Sequence, residues 1–176
     1  MKGLKYLILS ILIIAYVASC KKIEQLPPVP YIEFQSFKVF DTTDILGNDI
    51  KGGKLIFSFQ DGDGNIGINA DENYGSDTSN LFFTLYKKDN GIMKEVPEND
   101  LMRPSSYRIP YMEKTGQNKI LKGKIAITFL YLFYSQADND TIKYDFYLTD
   151  RDNNSSNISS TCEIPLSVNN TYKIQE

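Results

Sequence analysis

The sequence predicts an all-β fold, two antiparallel sheets stacked as a sandwich, and three observations carry that expectation. Apolar residues alternate with polar ones along almost every stretch after residue 30, and none holds a helical period. Short polar turns, one of them Asn90-Gly91, separate the alternating runs. The segment from Tyr31 to Glu176 has the length of one domain and contains no internal repeat.

The chain begins outside that domain. Lys2 and Lys5 form a basic start, and Leu7 to Val17 is an apolar run shorter than the roughly 20 residues that span a bilayer as a helix. The pattern reads as an export signal covering residues 1–19. Val17-Ala18-Ser19-Cys20 resembles the bacterial lipobox, and the resemblance implies cleavage before Cys20 and lipidation of that cysteine. Each buried methylene is worth about 0.8 kcal/mol, so two or more acyl chains make a stable anchor. Residues 20–30 then read as a tether, because Pro27, Pro28 and Pro30 favour an extended, semi-rigid spacer.

Within 31–176, the first strand is expected near Tyr31 to Phe40. LIFSF places Leu55, Phe57 and Phe59 on one face, and NLFFTLYKK does the same with Leu81, Phe83 and Leu85. Lys88-Asp89-Asn90-Gly91 supplies a hairpin turn. Val96 to Lys119, rich in proline, serine and tyrosine, has no clear period. KIAITFLYLFY aligns Ile125, Ile127, Phe129, Tyr131 and Phe133, while Ala126, Leu130 and Leu132 make its other face apolar as well. TIKYDFYL turns Ile142, Tyr144, Phe146 and Leu148 inward. Cys162, Ile164, Leu166 and Val168 alternate in the last strand, where Pro165 argues for a sheet edge. The total is about seven strands, the number of an immunoglobulin-type sandwich.

Asp140-Thr141-Ile142-Lys143-Tyr144-Asp145-Phe146 resembles the signature at the start of immunoglobulin strand F. The resemblance implies an immunoglobulin- or fibronectin-III-like sandwich in which Tyr144 is a tyrosine corner bonded to nearby backbone. Phe146 stands where such domains carry a disulfide cysteine, so packing is expected to replace the bridge.

Composition removes several chemistries. The chain has no histidine, which excludes Ser-His-Asp and Cys-His catalysis and histidine-ligated zinc. Beyond Cys20 only Cys162 remains, expected to serve as a small core hydrophobe. Without residues 1–19 the chain has 17 basic and 22 acidic side chains, a formal charge of −5. That balance, with no basic run, gives no basis for nucleic-acid binding. With no nucleophile–base pair in view, an enzyme is not expected.

FQDGDGNIGINADE carries the chemistry that remains. Counted from Asp61, the oxygens of Asp61, Asp63, Asn65, Gly67 (through its carbonyl), Asn69 and Glu72 fall at the ligand positions of an EF-hand loop. Ile66 stands where that loop needs glycine, and strands rather than helices flank it, so the EF-hand fold is rejected. Two readings stay open: a Ca²⁺ site between strands, or a solvated acidic turn whose glycines take positive φ. In a seven-strand sandwich the loop from Thr149 to Asn157 shares this end, so Asp150 and Asp152 are expected near Asp61 and Asp63.

The lipobox, the Asp61–Gly67 DGDGNIG core and the late loop TDRDNNSSN together resemble small lipoproteins of Bacteroidetes bacteria. In that group the late loop often reads Asp-Arg-x-Gly-Asn-x-Ser-Asn. This chain keeps Asp150-Arg151 and Ser156-Asn157 but has Asn153 for the glycine. The resemblance implies an outer-membrane lipoprotein, with either membrane face open. The function expected is a non-catalytic structural or interaction module with an envelope protein or glycan as partner. The alternative is a carbohydrate-binding accessory lipoprotein using Tyr107 and Tyr111, although tryptophan, a favoured sugar platform, is absent.

Overall fold

The computed structural model describes residues 26–69, 79–113, 119–134 and 141–174. Among them it contains strands and no helix. Cys20 and Glu72 lie outside the described residues.

β1 (Tyr31–Thr43) and β2 (Asp49–Asp61) form a long hairpin, from Tyr31 opposite Gln60 to Thr43 opposite Asp49. β3 (Leu81–Asp89) and β4 (Ile92–Glu95) form a second, and Asn90 (φ 49°) and Gly91 (φ 82°) take the positive φ values that a tight two-residue turn requires. β5 (Leu121–Tyr131) pairs with β2, and β6 (Thr141–Leu148) pairs with β3. Three two-residue strands follow: β7 (Ser159–Ser160), β8 (Ile164–Pro165) and β9 (Thr171–Tyr172). One sheet runs β5-β2-β1-β9, and the other runs β4-β3-β6-β7 with β8 also on β6. The fold is thus the expected antiparallel two-sheet sandwich, with nine strands among the described residues where about seven were expected. The expected final strand is split into β7 and β8 at a sheet edge, where Pro165 costs no central ladder bond.

The alternation foreseen in β2, β3 and β6 is realised. Leu55, Phe57, Leu81, Leu85, Ile142, Tyr144, Phe146 and Leu148 are all fully buried. β1 needs one adjustment. Its register slips between Phe34 and Ser36, a bulge at Gln35, so that Ile32 and Phe34 face inward before it and Phe37 and Val39 after it. Aromatic rings from both sheets meet in the centre. Phe57 and Phe146 lie 5.1 Å apart, Phe129 stacks on Tyr144 at 5.1 Å, and Phe83 contacts both Phe146 and Tyr144.

Three expectations are corrected. Phe133 is exposed because β5 ends at Tyr131 and the chain turns away. Cys162 is only half-buried and Val168 is exposed. Thr161 takes the inward place, its hydroxyl accepting from Tyr144 N at 3.0 Å, and this shifts the alternation before Ile164. Among the described residues the Tyr144 hydroxyl has no backbone partner; its oxygen meets Tyr131 Oη at 3.0 Å in the buried interior.

Polar side chains tie the two sheets together along one edge. Asn157 accepts from Ile32 N and donates to Ile32 O, both at 2.9 Å, so its amide stands in for a neighbouring strand. Ser159 Oγ accepts from Phe34 N at 2.9 Å. Asn157→Ala leaves the buried Ile32 backbone without that partner. At about 1 kcal/mol for each lost bond the variant should be about 2 kcal/mol less stable in urea melts, with Asn157→Ser recovering only part of the loss.

Candidate functional site

The acidic loop starts where β2 runs out at Asp61 and does not behave as a solvated turn. Asp61 is 1% exposed, Asn65 7% and Ile66 0%. Ile66, which displaces the EF-hand glycine, is therefore a core residue, and burying it pulls the loop inward. Asp61 Oδ2 closes the turn by accepting from Asn65 N at 2.8 Å and Ile66 N at 3.3 Å. Gly64 (φ 64°) and Gly67 (φ 95°) permit the reversal, and a side chain on Gly67 would strike Pro110 O.

The two loops expected at one end do meet there. Asn65 Nδ2 donates to Asp152 Oδ2 at 2.8 Å and to Asp63 Oδ2 at 3.2 Å. Asn65 O accepts from both Arg151 N (3.3 Å) and Arg151 Nε (3.1 Å), and the Arg151 guanidinium lies 5.0 Å over the Tyr111 ring. Asp150 is committed to its own loop. Its Oδ1 accepts from Asp152 N and Asn154 N, and its Oδ2 from Asn154 Nδ2. Asn153 at φ 64° fills the left-handed position, which explains how asparagine serves where glycine is the simpler choice.

The remaining site residues divide. The Asn69 carbonyl is taken by Arg108, which also donates to Ile68 O at 3.1 Å. Gly67 acts through its backbone conformation. Tyr107 sits edge-on to Phe83 and Phe129 and belongs to the core packing, and Tyr111 is covered by Arg151. Sequence reasoning missed Asn80, whose Oδ1 accepts from Ile109 N at 2.7 Å and ties down the 107–111 segment beside the site.

Two buried oxygens have no hydrogen-bond partner among the described residues: Asp61 Oδ1 and Asn65 Oδ1. Leaving such atoms bare costs about 1–3 kcal/mol each, more for a charged group. Burial, followed by the charges of Asp63 and Asp150, raises the Asp61 carboxyl to about 6, although the Asn65 and Ile66 amides pull the other way. Among the described residues no three Asp, Glu or Cys side chains group closely enough to enclose a metal by themselves. A cation here therefore needs the Asn65 amide oxygen as well as carboxylates. As placed, the Asn65 NH₂ sits between Asp63 and Asp152 in the position of a positive charge; rotating the amide would present its oxygen instead.

Comparison with protein-family models, with curated proteins and with solved structures gives no match for this chain.

Proposed function

We propose that this protein is a lipid-anchored, non-catalytic β-sandwich of the bacterial cell envelope whose two-loop pole takes up a calcium ion. The observation that supports the ion is the buried, unpartnered oxygen Asp61 Oδ1, on the loop whose Asp63 meets Asp152 through the Asn65 amide. Hard oxygen donors of this kind suit Ca²⁺. Asp150 shapes the loop that delivers Asp152, and Arg151 offsets part of the negative charge from the side. The lipobox resemblance at Val17–Cys20 supports the anchor. The role is that of a tethered interaction module, one whose pole offers hard oxygens and charge to a partner.

Calorimetric titration of calcium into residues 21–176 tests the ion. A dissociation constant near 0.1 mM, an extracellular-type affinity, is expected. At millimolar calcium that affinity adds about 1–2 kcal/mol to stability through linkage. Asp63→Ala should abolish most of the heat while leaving the melting curve without calcium near that of the parent. A parent protein silent at millimolar calcium would remove the ion from this reading.

A further inference from the structure

The pole that carries the acidic loops is also where the chain enters the domain. Gly62 N donates to Pro27 O at 3.0 Å, and a methyl added at Gly62 would fall 2.2 Å from Leu26 O, so the entering segment lies directly on the loop. Cys20 precedes Leu26 by six residues, at most about 20 Å of extended chain. β1, 13 residues long, sets the opposite end of the sandwich about 40 Å further off. A lipid on Cys20 thus holds the acidic pole, and not the other, near the membrane surface.

Two further properties of that pole suit a bilayer. Val29, Tyr31 and Ile158 are exposed around it, a rim of apolar and amphipathic side chains of the kind that settles at lipid interfaces. Calcium takes about six to eight oxygens, and the side chains here supply only part of that shell. Asp63 is half-buried and Asp152 exposed, so the unfilled positions open outward. Without a cation, a pole of this charge repels anionic headgroups; with one, it attracts their phosphates.

We propose that the acidic pole is a calcium-dependent contact for the phosphates of anionic lipid headgroups on the surface to which the chain is anchored. The ion is shared between Asp61, Asp63, Asp152, the Asn65 amide and headgroup phosphate oxygens, while Tyr31 and Ile158 enter the interface. This inference rests on the calcium reading above.

The test uses residues 21–176, since the buried core is complete between Ile32 and Leu166. The protein is sedimented with phosphatidylglycerol-containing vesicles or with pure phosphatidylcholine vesicles, in millimolar calcium or in EDTA, with calorimetry alongside. Expected is pelleting on the anionic vesicles in calcium alone, reversed by EDTA. Tyr31→Ser with Ile158→Ser should weaken it by about tenfold while the calcium heat in solution is unchanged. Calcium heat without vesicle binding, or equal binding in EDTA, overturns the lipid contact and leaves the calcium reading standing. Calcium-dependent pelleting that is equal on pure phosphatidylcholine vesicles also overturns it. Absence of any calcium heat removes both.

Discussion

Phe146→Ala is expected to lower the free energy of unfolding by about 3–5 kcal/mol, the usual cost of emptying a buried phenylalanine site. The ring lies on β6, where the strand-F resemblance would place a disulfide cysteine, and its partner across the sandwich, 5.1 Å away, is Phe57 on β2. Two aromatic rings therefore span the gap that a disulfide crosses in bridged domains. Phe146 also contacts Phe83, so truncation leaves three elements facing one void. Against a total stability of about 5–15 kcal/mol, such a loss leaves the domain close to unfolding at ambient temperature. Urea denaturation with the slope held fixed measures it. A change below about 1 kcal/mol would show that the neighbouring rings close the void and that the pair is not what holds the sheets together.

Calcium should bind about tenfold more tightly at pH 7 than at pH 5, because Asp61 must be ionised to serve as a ligand and titrates near 6. The sign for stability follows from the same shift. The folded-state value, about 6, lies above the ordinary 3.8. The group's stabilising contribution is therefore complete below about pH 4 and is lost as pH rises through about 6. At neutral pH the folded protein carries the cost of a buried carboxylate, which a bound cation would offset. Asp61→Asn keeps an oxygen to accept from the Asn65 and Ile66 amides and removes the charge. Its calcium-free melting temperature should vary less between pH 5 and 7 than the parent's, and its calcium affinity should fall by tenfold or more. Melts at both pH values, with and without calcium, read all of this. An Asp61→Asn protein that binds calcium as well as the parent would exclude Asp61 from the shell.

The strands were legible where period-two burial is uninterrupted, as in LIFSF and TIKYDFYL, because each core residue there announces itself by its neighbour's polarity. The last strand was misread because Thr161 faces inward to accept from Tyr144 N, a use of a polar residue that hydrophobic periodicity cannot register. Likewise the Gln35 bulge lets two inward faces follow one another out of phase. The meeting of Asp63, Asn65 and Asp152 was foreseeable from spacing and topology together. The diversion of Asp150 into its own turn was not, since the same oxygens serve either purpose and only the folded loop chooses between them. Asn157 showed only as part of the late-loop motif, and Ser159 gave no signal at all. Their partners, Ile32 and Phe34, lie 125 positions away in the chain.

The long β1–β2 hairpin also decides how the domain meets a mechanical pull. Force arriving through residue 30 enters β1 end-on, at Tyr31 opposite Gln60, and runs along the strand toward Thr43 opposite Asp49. Antiparallel ladder bonds lie across that direction. They are loaded in shear and must yield together, where a strand peeled from its end would release them one at a time. A load entering at residue 30 is therefore met by the whole β1–β2 ladder at once.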